Sequence, residues 1–378
     1  MSKRAPLNRF SLSVAILFSG TTLLSACGLT PVQTTPAAGL VVADHLNSPQ
    51  GVFLSSDGAL YITDSGTGGP DTYTVPGGPD GGGPTTAHTG MTAAVIRVSP
   101  SGQRSTVALV PSEREGTDTS GASRLTELGG QMYVSSGHWI AGASIQQPAH
   151  VGTLVRLGAT LTDVGNLWAY ESTNDPDKQG ADSHPYALAA GPDGQLWVAD
   201  AGGNDLLRVD PATGTVSLVT VFDPVANVNP PANTPPVSQA VPTGIAFLND
   251  GSAYVSLLPG YPFLPGAGKV VRVAQDSSRS DYATGLTTVT DLRAGPDGNL
   301  YAVELGTFGA MGPTPGTGAI VRIKAGGVKE TVLTGLNTPT SITFNAQGDA
   351  FLTVNGAAAP GTGQVLRWDR LTQRPALP

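Results

Sequence analysis

Short apolar runs punctuated by glycine, proline and aspartate recur along the chain, and their residues return in a fixed order. One unit reads HPYALAAGPDGQLWVADAGGNDLLRVDPATGTVSLVTVF over residues 184–222. Its opening segment returns as SPQGVFL, ASRLTEL, VPTGIAF, VTDLRAG and PTSITFN, making six copies. A second segment appears as SDGALYIT, GGQMYVSS, PDGQLWVA, NDGSAYVS, PDGNLYAV and QGDAFLTV, with Asp-Gly or a related pair supplying the positive φ that a tight hairpin requires. The alternation and length of these runs predict β-strands, and their recurrence predicts a repeat architecture. A third strand carries an arginine in every copy: Arg97, Arg156, Arg208, Arg272, Arg322 and Arg367. A residue used once per repeat belongs to the scaffold, so these arginines are expected to pair with carbonyls or carboxylates between the repeats.

Fourth strands such as STVALV, VSLVTVF and ETVLTGL follow in the first five copies, but none follows Arg367. Residues 39–46 (GLVVADHL) precede the first copy as VLTGL precedes PTSITF, so they are expected to supply the missing strand. The pattern therefore predicts an all-β chain: a single six-bladed β-propeller of four-stranded antiparallel blades over residues 39–371, its ring closed by the N-terminal strand. Closure removes exposed sheet edges. Residues 372–378 form a tail. The first and third turns of each unit are short. The second turns (66–92, 137–150, 257–268, 305–317) and several links (112–121, 171–183, 223–240) are long, and all fall on one face, where function is expected.

Residues 1–27 read as an export signal: Lys3, Arg4 and Arg9 precede an apolar stretch from Phe10 to Leu24 that is too short to span a bilayer. The stretch closes on Leu24-Ser25-Ala26-Cys27-Gly28, which resembles the lipobox of bacterial lipoproteins. Cys27, the only cysteine, is the expected lipidation site, and residues 28–38 form a Thr/Pro-rich tether. The expected location is outside the cytoplasmic membrane, facing the periplasm or cell exterior, with the lipid as the only membrane contact. A net charge of −8 and 13% charged residues argue against a nucleic-acid surface. A monomer is expected, and a small molecule is the expected partner.

The segment LWAYESTNDPDKQGADSHPYALAAGPDGQLWVADAGGNDLLRVDP (167–211), with GYPFLPGAGKVVRV and TGLNTPTSITFNAQGDAFLTVNG, resembles the ScyD/ScyE family over nearly all of the chain after the tether. The resemblance implies an exported propeller of largely unassigned activity. His184-Pro185-Tyr186-Ala187 stands where members often have Asn-Pro-Tyr-Gly. More distantly, the GPDGxLWV strings resemble NHL-type, gluconolactonase-like and streptogramin-lyase propellers, a likeness that transfers fold and not activity.

Residues before the first strands and after the second strands are expected to surround the mouth. The first set is Gln50, Arg124, Tyr186, Thr243, Asp291 and Ser341; the second is Asp64, Ser136, Asp200 and Glu304. Asp64, Asp200, Asp291 and Glu304 could converge as oxygen ligands for Ca²⁺ or Mg²⁺, or instead cap loop backbones and pair with arginines. In gluconolactonase-like propellers a divalent ion sits at this mouth, polarising a carbonyl and helping to activate water. Asn174–Gly180 opens like a calcium loop, but its twelfth position, counted from Asp175, is Tyr186 rather than a glutamate. His138 and His184 fall on the long-loop face. Trp139, Tyr261, Phe263 and Phe308 form an aromatic platform or pack on one another. Ligand contacts are thus expected from Gln50, Arg124, His138, Trp139, His184, Tyr186 and Thr243. No complete catalytic set emerges, so whether the chain is an enzyme stays open. The leading expectation is a ligand-binding or auxiliary protein; the alternatives are a divalent-metal-dependent hydrolase or lactonase at the mouth, and a scaffold for protein partners.

Overall fold

The computed structural model describes residues 39–76, 83–227, 230–232, 234–309 and 312–378. The export signal, the tether and Cys27 lie outside the described residues. No helix among the described residues is long and apolar enough to cross a membrane.

The described residues are almost all β, arranged as antiparallel sheets of four or more strands in sequence order, with two-stranded ribbons in the loops. Their innermost strands are Pro49–Leu54, Ala122–Leu128, Pro185–Ala190, Pro242–Phe247, Val289–Ala294 and Ser341–Phe344. Each innermost strand contacts the next, and the sixth contacts the first. Leu40–Leu46 pairs antiparallel with Gly363–Trp368 and is the outer strand of the sixth sheet.

The apolar core is distributed as layers between neighbouring sheets. Val95, Val110, Leu125 and Val155 fill the first interface; Leu154, Leu188, Val198 and Leu207 the second; Ile320, Ile342, Leu352 and Trp368 the fifth. Middle strands are therefore covered on both faces, which is why they read as near-continuous apolar runs rather than strict alternation. One bond recurs in every sheet. In five sheets the residue just past the second strand donates its N–H to the carbonyl just before the first: Ser65 to Ser48, Gly137 to Gly121, Ala201 to His184, Leu258 to Val241 and Leu305 to Thr288; in the sixth, Gly356, two residues past its strand, donates to Thr338.

Four of the six arginines differ from expectation in where they pair. Arg97, Arg208, Arg272 and Arg367 reach Asp57, Asp193, Asp250 and Asp349, each in the first hairpin of the same sheet rather than between sheets. Arg322 pairs with Glu330 of its own sheet and, as expected, also reaches between sheets, donating to the carbonyls of Thr372 at 3.0 Å and Arg374 at 3.1 Å. Each arginine also stands directly across from an aromatic on the second strand: Tyr61, Tyr133, Trp197, Tyr254, Tyr301 and Phe351. Position i on one strand faces the carboxylate-bearing hairpin and its cross-strand partner on the same side, so arginine, aromatic and aspartate form one intra-sheet group. A second difference is the helix Leu167–Asn174 in the second link. Asn166 caps it by accepting the Ala169 N–H at 2.8 Å, and Asp175 ends it in the left-handed region.

Register corrects the alignment of the inner strands. Gly51 pairs with Thr63, Ala187 with Ala199 and Gly244 with Ser256, one step past an irregularity present in each first strand. Asp291 and Ser341 occupy the same register step, opposite Val303 and Thr353. Arg124 does so too, since Leu125, which follows it, pairs with Val134. Three sheets thus place a small residue where the other three place a polar one. The small residues are required by close approach: a Cβ on Gly244 would lie 2.3 Å from the Leu292 nitrogen. Gly244→Ala is expected to cost about 1–3 kcal/mol through overpacking against backbone that cannot yield. Gly158→Ala, whose new carbon meets only the Thr160 oxygen at 3.4 Å, should stay within about 0.5 kcal/mol. Chemical denaturation of the two variants checks the difference.

Candidate functional site

The centre of the assembly is held by Arg124, which is 1% exposed. Its guanidinium donates to the Gln50 carbonyl, to the Thr290 carbonyl at 2.7 Å and to the Thr340 carbonyl at 2.8 Å. These oxygens come from the first, fifth and sixth sheets. Nε lies 3.8 Å from Asp291 Oδ1, and the cation sits 4.6 Å above the centre of the Tyr186 ring. Asp291 also accepts from Ser341 Oγ at 2.7 Å and from the Ile342 N–H at 3.2 Å. Burial alone would raise its pKa, but Arg293, Arg124 and these hydrogen bonds hold it below the usual carboxylate value. The expected ligand residues Arg124 and Asp291 are therefore committed to one another and to the inner strands. Thr243 is likewise committed, donating to the Val289 carbonyl at 2.5 Å.

The remaining predicted metal acids do not assemble either. Asp64 accepts the N–H groups of Asn47 and Gly66, and Glu304 accepts that of Thr287. Asp200 accepts from the Ser183 hydroxyl and from the N–H groups of His184, Gly202 and Gly203. Each acid caps the turn that enters its own sheet. No three of Asp64, Asp200, Asp291 and Glu304 share a ligating site among the described residues. Burial raises the pKa of Asp64 to about 6 and moves Asp200 and Glu304 upward as well.

Above the arginine layer lies a polar cavity of about 60 Å³, lined by Ser48, Gln50, Ser65, Ser123, His184, Tyr186, Thr290 and Thr340. It is roofed by Thr117–Ser120, the end of a hairpin in which Asp118–Ser120 folds back on Arg104–Glu115. The volume is far below the several hundred Å³ of a common small-molecule pocket. Tyr186 donates its hydroxyl to Gln50 Oε1 at 3.0 Å, and Gln50 Nε2 donates to the Gly356 carbonyl at 3.0 Å. Gln50, His184 and Tyr186 are thus the predicted ligand residues that reach the cavity. The serines, threonines and roof strand were not singled out, because small hydroxyl residues in β-segments carry no distinguishing pattern.

Two histidines meet beside this cavity, with ring centres 5.6 Å apart. His138 Nε2 is 2.9 Å from Asp182 Oδ1. Burial opposes its charge, but Asp182, Glu113 and Asp200 outweigh that and raise its pKa to about 9. His184 is pushed down to about 3 by burial and by the charged His138, so its imidazole is neutral. No protein hydrogen bond engages its ring among the described residues.

The aromatic platform resolves into packing. Trp139 is buried against Tyr73, with ring centres 5.3 Å apart, and Phe263 stacks on Phe308 at 4.4 Å. Tyr261 alone of the four is exposed.

The calcium-like loop closes in a different way from its sequence register. Asp175 and Asp177 meet Glu171, which precedes them on the helix, with ligand atoms of all three within 4.8 Å of one another. Burial and the charges of Asp200, Asp177 and Asp175 raise Glu171 to about 8. Tyr186, the twelfth position of the loop, lies instead at the mouth.

Sequential antiparallel sheets around a polar mouth define a β-propeller protein. Solved structures share this fold. A protein assigned as a gluconolactonase aligns with a TM-score of 0.51 and 14% identity, over 89% of this chain and 94% of its own. A luciferin-regenerating enzyme aligns at 0.50 and 13%, over 87% and 94%. A protein of unknown function from Bacteroides thetaiotaomicron aligns at 0.51 and 13%, over 87% and 72%. No family model matches the chain, and no curated protein matches it. At these identities the likeness establishes the propeller and nothing of its chemistry.

Two outcomes follow from the geometry. Arg124→Met strands the buried Asp291 and unpairs three carbonyls, which should cost about 3–5 kcal/mol in chemical denaturation; Arg124→Met with Asp291→Asn should recover part of that loss. The raised pKa of His138 means its ion pair stabilises the fold fully below the ordinary histidine value and ceases to do so as pH rises through about 9. In Asp182→Asn burial dominates, and the His138 imidazole should titrate below 6.5, as read by NMR of histidine-labelled protein.

Proposed function

We propose that this chain is an exported, lipid-anchored, closed six-bladed propeller that binds a small polar molecule at its mouth. In this reading it is an auxiliary protein of extracytoplasmic metabolism, of the ScyD/ScyE kind. The observation that carries the reading is His184: a neutral imidazole at the cavity wall whose ring has no hydrogen bond among the described residues. Imidazole in that state offers one donor and one acceptor to a ligand. Gln50 and Tyr186, coupled through their own hydrogen bond, present a second polar edge. The six-bladed closed ring is supported by the contact of the sixth inner strand with the first and by the pairing of Leu40–Leu46 with Gly363–Trp368. Export and anchoring are supported by the basic, apolar and lipobox order of residues 1–27.

Ligand capture is favoured over metal-dependent hydrolysis because the acids that would hold a mouth metal spend their oxygens on turn N–H groups and arginine. The similar folds named as a gluconolactonase and a luciferin-regenerating enzyme make small carboxylates and sugar lactones the first probes. In a thermal-shift screen with gluconate, glucono-lactone and short carboxylic acids, wild-type protein should be stabilised by at least one probe and His184→Ala by none. A probe bound equally by both forms overturns the site; lactone turnover lost in His184→Ala replaces capture with catalysis. For the anchor, wild-type protein expressed in bacteria should incorporate labelled palmitate and partition into detergent, whereas Cys27→Ala should do neither.

A further inference from the structure

Behind the mouth, the helix Leu167–Asn174, the loop that follows it and the hairpin after Asp200 bring four carboxylates together. Glu171, Asp175 and Asp177 already lie at mutual ligating distance. The fourth is independent of that loop. Asp205 opens the third strand of the third sheet, is 0% exposed, and has neither carboxylate oxygen hydrogen-bonded. It faces the same space as Glu171: a Cβ built on Gly203 would lie 3.1 Å from Glu171 Oε2 and 3.6 Å from Asp205 Oδ1. Glu171 is itself buried, and its Oε1 has no partner.

The surroundings do not neutralise this group. None of the ion pairs formed among the described residues involves Glu171, Asp175, Asp177 or Asp205. Lys178, the nearest cation in sequence, donates to the Asn174 carbonyl at 2.6 Å instead. The donors that reach the cluster leave Glu171 Oε1 and both Asp205 oxygens unpaired: Gly180 N–H to Asp175 Oδ1 at 3.0 Å, Gln179 N–H to Asp177 Oδ1 at 2.9 Å, Asn204 Nδ2 to Asp177 Oδ2 at 2.9 Å, and the Asp182 N–H to the Glu171 carboxylate. Buried carboxylate oxygens without donors are costly unless a cation meets them.

We propose that Glu171, Asp175 and Asp177 bind one Ca²⁺, with Asp205 supplying the buried charge on the Glu171 side. Hard oxygen donors from several chain segments, with more negative charge than one divalent ion carries, suit Ca²⁺ better than Mg²⁺, which keeps its water and demands a tighter octahedron. The ion would tie the helix and its loop to the third sheet, directly behind the Asp182–His184 segment that lines the mouth. This site is separate from the mouth, and its test uses no mouth ligand, so either reading can fail alone.

The test is Ca²⁺ binding and thermal unfolding of the full-length protein after chelation. Wild-type protein and Asp64→Asn should bind one Ca²⁺ by calorimetry and melt at higher temperature with Ca²⁺ than with chelator, Mg²⁺ giving the smaller shift. Glu171→Gln with Asp177→Asn should lose the Ca²⁺ shift. Should that double variant not fold, Asp205→Asn alone should weaken Ca²⁺ at least tenfold while melting higher than wild type in chelator, because a buried carboxyl group that burial and neighbouring acids disfavour has been removed. Absence of any Ca²⁺ shift in the wild type overturns the proposal. So does a shift that survives in the acidic-cluster variants or disappears in Asp64→Asn.

Discussion

A guanidinium at the axis is the interaction on which the rest of this molecule depends. Inner strands that converge around a channel leave carbonyls pointing at one another without ladder partners, and unsatisfied buried carbonyls are expensive. Arg124 supplies donors to three of them from three sheets other than its own. Asp291 balances its charge, and Ser341 holds Asp291 from the next sheet. The mouth is consequently floored by a fixed polar layer, and what lies above it is presented on a rigid base.

Away from the axis the sheets are built from devices used repeatedly. Turn-capping acids at second-strand ends and arginine groups at the opposite ends recur because each sheet meets the same geometric demands. Repetition separates scaffold from site. Asp64 and Glu304 perform one task in two sheets, whereas the His138–His184 pair occurs once. Those two imidazoles, 5.6 Å apart, are driven in opposite directions: one is charged by its carboxylate partner, and that charge helps keep the other neutral. A neutral imidazole, with no hydrogen bond to its ring among the described residues, is thereby maintained at the cavity edge.

The third sheet is where the structure departs most from its own repeat. Its entering link contains the only α-helix among the described residues, and acidic residues of that link collect around Glu171, which faces the buried Asp205. The same sheet carries His184 and Tyr186. Elaboration behind the mouth and chemistry at the mouth therefore share one structural unit, and Asp200 acts electrostatically on both Asp205 behind it and His138 beside the mouth.

Local patterning determined much of this by itself. Strand positions, tight hairpins, the order of the units and the N-terminal strand facing Arg367 all follow from periodicity and turn chemistry, which act over a few residues. Gln50, His184 and Tyr186 were legible as mouth residues because repeat alignment transfers position from one sheet to the next. Tertiary structure decided what alignment does not encode. An irregularity in the first strands of the second and fifth sheets moved Arg124 and Asp291 from the mouth into the axial layer, since a register step changes the face a side chain meets. Asp64, Asp200 and Glu304 read as ligands until the N–H groups they accept were in place, because residue type does not show where donors lie. Asp205 and Glu171, separated along the chain, came together only when the helix packed behind the third sheet, and long-range proximity of that kind leaves no periodic trace.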